Sequence, residues 1–587
     1  MTVLFEQAEW GALTDELREQ LARLLPLEAR DWLASPEMPS ANDVTTISAR
    51  LEHLWDSIRA MAPRWIVDSV DCPASPCVHA AEATLLFADV TGFTPFTAQL
   101  ETLGRVGNEH TTNVLNRFFA TVVPIALTYE GDLLSFGGDA ILVAFHGSRH
   151  AQMALAAAWE MQQAMESLDL HDLGLADPPR LQMKIGLASG PLVLASVGVG
   201  ARRLALPLGS VLDTTDAMAN ATAPGGIRLD ARAAALAAPF AQLAPQPDGS
   251  ALLVGLGDRQ HPAQGGAACA AALKLGDLVT RIVALGRYLP QSVLASVIAT
   301  PQAAPGSGEQ RYVVSMFSHL SGLHELADTF WSTDPGLVAQ AADLALHRAI
   351  ALIEGFGGVL ARVDIYDGGH KLLALFGAPV AHEQEAMRAL LTALALRDAM
   401  PGINAEIAAL LDGRNNGDAD AVQPALAVRS GINAGPVVAG LVGSPLRWEY
   451  TVMGDAVNVG ARLMGKAQPG EVLVSPSVRA MAGDALDAES RMLLLKGKRE
   501  PVRVWSVRAL DLTNHSSPLE DMQLVGREAE RRVFHHVGAA LRSGQAGVVF
   551  VRGEAGIGKS RLVRELPAIL GADVLCIQTG SPGLVPV

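Results

Sequence analysis

The run Ala83-Thr84-Leu85-Leu86-Phe87-Ala88 is apolar almost without a break and stops on an acid, Asp89, and a turn glycine, Gly92. A short apolar run bounded in this way predicts a buried strand. Phe93 and Phe96 then sit on a predicted helix. Between Leu133 and Phe145 two more apolar runs flank Gly137-Gly138-Asp139, the pattern of a hairpin with an acid at its tip. Residues 181–190 predict another strand, one that ends in glycines. Upstream, Leu17, Leu21, Leu24 and Leu25, then Leu51, Leu54 and Ile58, fall at helical spacing. The first 60 or so residues are therefore predicted to be helices used for packing or interaction.

The pattern then returns. MAPRWIV (61–67) is echoed by YLPQSVL (288–294), and ASGPLVLASVG (188–198) by NAGPVVAGLVG (433–443). Gly186, Gly190 and Gly209 pair with Gly431, Gly435 and Gly454 at one constant offset of 245, the mark of a duplicated domain. Strand–helix–strand–strand–helix–strand patterning in each copy predicts an α+β fold built from two ferredoxin-like domains. The expected organisation is a helical extension (1–78), a first domain (79–255), a linker (256–308) and a second domain (309–508). The linker holds a helical stretch and the Pro/Gly/Ser-rich PQAAPGSGEQ; the second domain closes on a hairpin, LLLKGKREPVRVWSV.

Composition narrows the setting. Hydrophobic residues make up 49% of the 587 and charged ones 18%, which suits globular domains. A net charge of −16 argues against nucleic acid or an anionic membrane as partner. The four cysteines form neither a metal-ligand pattern nor a disulfide framework, so a reduced, cytoplasmic setting is expected. No apolar run reaches the ~18 residues of a membrane span. Glu6, Glu9 and Asp15 stand where a secretion signal would be basic, so neither a span nor a signal is expected.

The chemistry begins with the two acids. Asp89 alone reads more readily as a helix cap. Together with Asp139, on an adjacent strand, it offers paired carboxylates suited to divalent ions over a triphosphate. FADVTGFT (87–94), followed some fifty residues later by GGDAILVAF (137–145), resembles a class III nucleotidyl cyclase homology domain. Over roughly residues 60–508 the order of parts resembles the soluble, bicarbonate-responsive type of adenylyl cyclase and its bacterial relatives.

The resemblance implies two domains paired head to tail within one chain, with two pseudo-symmetric sites between them. The copies have lost different residues. His319 and His370 stand opposite Asp89 and Asp139, and imidazole is a poor ligand for hard magnesium. YTVMGDAVNVGAR (450–462) matches the family's catalytic Asn and Arg at Asn458 and Arg462, four apart and so on one helix face. Asp213 and Ala217 hold those places in the first copy. Only one complete site is expected, converting ATP to 3′,5′-cyclic AMP and pyrophosphate.

By the same resemblance two Mg²⁺ or Mn²⁺ ions are held by Asp89, Asp139 and the Val90 carbonyl. Gly92, Phe93 and Thr94 offer N–H groups to phosphate oxygens, Lys184 binds the triphosphate, and Lys498 is a further candidate of that kind. Arg462 stabilises the transition state and Asn458 holds the ribose. Arg362 stands where adenylyl cyclases usually have Lys, and Thr451 where the soluble type has Thr; they match adenine N1 and the 6-amine. A plain strand-edge arginine is the other reading of Arg362. Ser135 and Asp216 replace the Lys and Arg that bind bicarbonate, which leaves bicarbonate activation in doubt.

Near the C-terminus, a predicted strand at 548–551 precedes Gly553-Glu554-Ala555-Gly556-Ile557-Gly558-Lys559-Ser560, a full P-loop pattern. It resembles the start of a signal-transduction ATPase module (520–587), with too few residues after Ser560 for a hydrolysing domain to be expected. The alternative function is a catalytically weak, nucleotide-sensing cyclase module that regulates the P-loop region.

Overall fold

The computed structural model describes the chain except residues 1–6, 12, 27–32, 34–38, 71–76, 93–104, 169, 171–180, 199–201, 258–273, 301–308, 413–424, 497–499, 511–525, 546, 553–558, 564 and 571–587. It divides into one unit of residues 1–481 with 488–508, and a second of 482–487 with 509–587. Both repeats lie in the first unit apart from residues 482–487 of the second.

Copy one runs β1 (Val78–Thr91), helix Arg105–Thr128, β2 (Asp132–Phe136), β3 (Ala140–His146), helix His150–Glu166 and β4 (Gln182–Val197). The sheet order β2-β3-β1-β4 with this βαββαβ succession is ferredoxin-like. β5 (Leu204–Leu208) folds back on β4, and β6 (Ile227–Leu229), β7 (Ala241–Pro245) and β8 (Ala251–Leu256) extend the sheet in the order β6-β8-β7. Copy two repeats the plan with β9 (Glu309–Ser321), β10 (Val359–Ile365), β11 (Gly369–Phe376), β12 (Ala427–Ser444), β13 (Arg447–Met453), β14 (Val472–Val474), β15 (Leu486–Leu493) and β16 (Val502–Leu510). Its strand order is the same, place for place.

From Ala83 to Ala88 β1 is apolar almost throughout because both its faces are covered there. Leu86, Ala88 and Val90 pack beneath the two long helices with Phe118, Phe119 and Met161. Ala83 and Leu85 point the other way, and strand alternation puts Asp89 on that second face. The second face is closed by helix Val211–Asn220 and a helical cap. In the cap, Leu21, Leu51, Leu54 and Ile58 pack with Leu278 and Ile282. Helices Leu275–Gly286 and Gln291–Ala299 thus share a core with the N-terminal helices. The two echoed prolines, Pro63 and Pro290, are N-caps of equivalent helices. Asp132 accepts the Arg64 and Trp65 N–H groups, both at 2.8 Å, and fastens the cap to β2.

The repeated glycines have a packing cause. A Cβ on Gly186 would stand 2.3 Å from Thr215 O, and one on Gly431 2.2 Å from Met464 N. In each copy a helix, Val211–Asn220 or Asp455–Lys466, lies backbone to backbone on the central strand.

Helix Pro335–Gly355 is long and apolar enough to cross a membrane. It is the counterpart of Arg105–Thr128, with Leu337, Val338, Leu346 and Ile353 buried in copy two. In the second unit, Phe534 of helix Glu528–Arg542 packs on Leu562 and Ile569. The strand expected at 548–551 is not formed. Val548 and Phe550 are each 80% exposed, and this stretch has no neighbouring strand among the described residues of that unit.

Gly431→Val is expected to lower the melting midpoint strongly, since overpacking against backbone costs about 1–3 kcal/mol or more. Gly402→Ala, on an exposed helical site with nothing within 4 Å, should raise it slightly. Thermal denaturation of both variants checks this; a Gly431→Val protein that melts with wild type contradicts the close approach.

Candidate active site

Asp89 pairs in register with Ala140 of β3 on one side and Lys184 of β4 on the other. The Val90 N–H donates to the Asp139 carbonyl at 3.3 Å, so the two acids are neighbours. The hairpin tip closes with Gly137 N–H on Ala140 O at 2.8 Å. At the end of β1, Gly92 has φ 89°, a conformation that glycine adopts without strain.

Burial pushes the Asp139 carboxyl up to about 7, and the charge of Asp89 adds to the rise. Burial likewise pushes Asp89 up to about 6, with Lys184 opposing and Asp216 adding. Two half-buried, adjacent carboxylates call for a cation. All-oxygen donors suit a hard divalent ion, and magnesium commonly uses one or two carboxylates plus substrate phosphates. Asp89, Asp139 and the Val90 carbonyl fit that demand. No group of three or more His, Cys, Asp or Glu is arranged to hold a metal among the described residues.

The halves meet through paired contacts. Gly198 N–H donates to Asp343 Oδ1 at 2.5 Å, and its counterpart Gly443 N–H to Asn116 Oδ1 at 3.1 Å. Across this pseudo-twofold, copy two adds charges to the acids of copy one. Arg362 and Lys371 both stabilise ionised Asp139, and Lys496 ionised Asp89. Ser135 and Arg362 are equivalent: each follows a bulge, and they pair with Leu142 and Leu373. Arg362 Nη1 donates to Thr451 Oγ1 at 3.2 Å, so the two expected base readers stand together. Glu449, beside Arg362, accepts the Phe136 N–H at 3.3 Å across the interface.

The second pseudo-site is closed. The pairing of Ser135 and Arg362 makes the copy-two hairpin four residues longer, and it turns at Asp367 (φ 46°) and Gly368 (φ 75°). The Gly368 N–H donates to Asp213 Oδ1 at 3.0 Å, and Asp213 Oδ2 lies 2.7 Å from His324 Nδ1. His370 Nε2 is 2.8 Å from Pro207 O, and His319 Nε2 2.8 Å from Tyr366 O. His319, His324 and His370 are all buried. Burial, with His324 adding, takes His370 from 6.5 down to about 3. Burial also lowers His319.

Asn458 and Arg462 lie on helix Asp455–Lys466, Asn458 exposed and Arg462 half-buried. Arg462 Nη1 is 3.7 Å from Asp455 Oδ1; the structure pairs it there rather than with Asp89 or Asp139. Lys559 opens helix Lys559–Val563. Phe93, Thr94, Lys498, Gly553, Gly558 and the side chain of Ser560 lie outside the described residues. Sequence reasoning missed Asp364, Lys371 and Glu449. The signal was available for two of them: Asp364 and Glu449 lie two residues from Arg362 and Thr451, hence on the same strand faces.

Residues 77–251 and 349–507, more than half of the chain, match the adenylate and guanylate cyclase catalytic domain family, and the chain belongs to it. Residues 523–584 match the AAA ATPase domain. Adenylate cyclase type 10 of Mus musculus is 23% identical over 575 residues, covering 89% of this chain and 33% of that protein. The Oryctolagus cuniculus protein of the same name is 24% identical over 579 residues, with the same coverage. The chain thus spans about a third of the length of the curated relatives it matches. A class III adenylyl cyclase-like ATP-binding protein from Pseudomonas aeruginosa shares the fold at TM-score 0.51 and 15% identity, over 74% of this chain and 93% of that one.

The lowered His370 sets a pH dependence with a definite sign. The folded protein holds it neutral, so its share of stability is present above about 6.5 and is lost as pH falls towards 3. The loss per group is at most about 1.4 kcal/mol per pH unit. His370→Gln should show a smaller fall in melting midpoint than wild type between about pH 7.5 and 5.5. Equal falls would contradict the buried neutral state.

Proposed function

We propose that this chain is an adenylyl cyclase with one working site, formed by the acids of copy one and the Asn/Arg pair of copy two. The observation that carries the reading is the asymmetry of the two sites. One holds adjacent carboxylates pushed up by burial, Asp139 also by the charge of Asp89. The other is filled by its own longer hairpin and three buried histidines. The pseudo-twofold that sets Asp213 against the copy-two hairpin supports Asn458 facing the copy-one hairpin.

In the reaction, the ribose 3′-oxygen bonds to the α-phosphorus as the bond to the β-bridging oxygen breaks. Pyrophosphate leaves and the hydroxyl proton is released. Bound Mg²⁺ or Mn²⁺, held by Asp89, Asp139 and the Val90 carbonyl, would supply Lewis-acid activation and charge neutralisation. Lys184, across the ladder from Asp89, binds a triphosphate oxygen. Arg462 neutralises charge on the phosphorus in the transition state, and Asn458 keeps the ribose in line. Arg362 donates to adenine N1, and Thr451 accepts from the 6-amine. No protein nucleophile is needed.

The test is turnover of ATP and GTP by the purified chain with Mg²⁺ or Mn²⁺. ATP should yield cyclic AMP, and Asp89→Asn, Asp139→Asn and Arg462→Ala should each lower kcat by about 10²-fold or more. His319→Gln should leave kcat within a few-fold of wild type. Nucleotide binding without cyclic product in wild type would instead favour a sensing module.

A further inference from the structure

Arg362 carries more charge around it than base reading requires. Asp364 lies two residues along β10, on the same face, and directly across the ladder from Lys371. Its Oδ2 stands 3.0 Å from Arg362 Nε and 3.4 Å from Lys371 Nζ. The Asp364 side chain is only 5% exposed. Both its oxygens are closed off from solvent and accept no hydrogen bond, so ion pairs alone hold its charge. A carboxylate buried on these terms is costly unless its partners are fixed. Lys371 is itself placed by the Tyr366 ring, 5.5 Å below its ammonium.

A guanidinium is a rigid fork of donors. Arg362 Nε stands beside Asp364 in an ion pair that makes no hydrogen bond, and its Nη edge lies at Thr451. We propose that Asp364 is a positioning residue for nucleobase recognition. It grips the Nε side of Arg362, aims the Nη edge at the purine, and is balanced by Lys371. The proposal deepens, and rests on, the reading of Arg362 and Thr451 as base contacts.

Adenine presents an acceptor at N1 and a donor at the 6-amine, which match the Arg362 Nη donors and the Thr451 hydroxyl. Guanine presents an acceptor at O6 and a donor at N1, and needs a carboxylate or similar acceptor beside the arginine. Asp364 is closed to it by its two cations, and Glu449 Oε2 is engaged by Phe136 N–H. One arrangement therefore fixes the donor that adenine uses and withholds the acceptor that guanine needs.

The experiment compares wild type, Asp364→Asn, Asp364→Glu and Lys371→Met in the full chain. It measures kcat and KM for ATP and GTP, calorimetric binding of both nucleotides with Mg²⁺, and melting midpoints. Asp364→Asn should raise KM for ATP about tenfold and narrow the ATP/GTP ratio of kcat/KM by about tenfold or more. The loss should fall on KM more than on kcat, and Asp364→Glu should recover part of the ratio. Lys371→Met, which unmasks the carboxylate, should narrow the ratio by strengthening GTP binding. A lower melting midpoint with unchanged KM and ratio would reduce Asp364 to a structural ion pair and overturn the proposal. If Asp364→Asn does not fold, an unchanged ratio in Lys371→Met overturns it alone. If wild type binds ATP selectively without cyclising it, the cyclase reading fails and the binding ratios decide the role of Asp364. Equal binding of ATP and GTP by wild type would sink base reading by Arg362 and this inference with it.

Discussion

In each half a helix backbone rests directly on the backbone of the central strand. Nothing larger than glycine fits at Gly186 or Gly431, where a Cβ would meet helix backbone atoms at 2.2–2.3 Å. That contact sets the height and tilt of helices Val211–Asn220 and Asp455–Lys466, and with them the residues offered to the opposite half. Asp213 reaches the copy-two hairpin from such a helix. Asn458 and Arg462 ride on its counterpart. The remaining geometry of both sites follows from how closely helix and sheet meet.

Given two equivalent platforms, the halves have diverged through charge and hairpin length. Where copy one keeps a short hairpin, Asp139 stays beside Asp89 and the two acids repel. Where copy two lengthens it by four residues, the hairpin reaches across to Asp213, and neutral histidines occupy the space of the acids. Burial disfavours the charged form of His319 and His370, and their partners are backbone carbonyls. The closed site then joins the halves through Asp213, while at the other site Asp89 and Asp139 stay side by side with cations of both copies near them.

Much of this was legible in the chain. The apolar run at 83–88 and the Gly-Gly-Asp break identified β1 and the β2–β3 hairpin, since strands covered on both faces read as continuous hydrophobics. The constant glycine offset exposed the duplication because close backbone approach admits no other residue at Gly186 and Gly431. What was not legible depends on contacts between distant segments. The seal on the second site needs Asp213 from one copy and Gly368 from the other. The Asp364–Lys371 pair depends on a register fixed only once the longer hairpin forms. At 548–551 an apolar run looked like a strand, but apolar composition alone supplies no neighbouring strand for a ladder, and Val548, Val549 and Phe550 stand exposed.

The central claim is that one nucleotide site is shared between the halves and its pseudo-symmetric twin is closed. Calorimetric titration of a non-cyclisable ATP analogue with Mn²⁺ measures the number of sites per chain directly. Lys559→Ala in the P-loop keeps that region from contributing. The account predicts one site per chain, lost together with metal-dependent affinity in Asp89→Asn. Two equivalent sites, or one that survives Asp89→Asn unchanged, would contradict it.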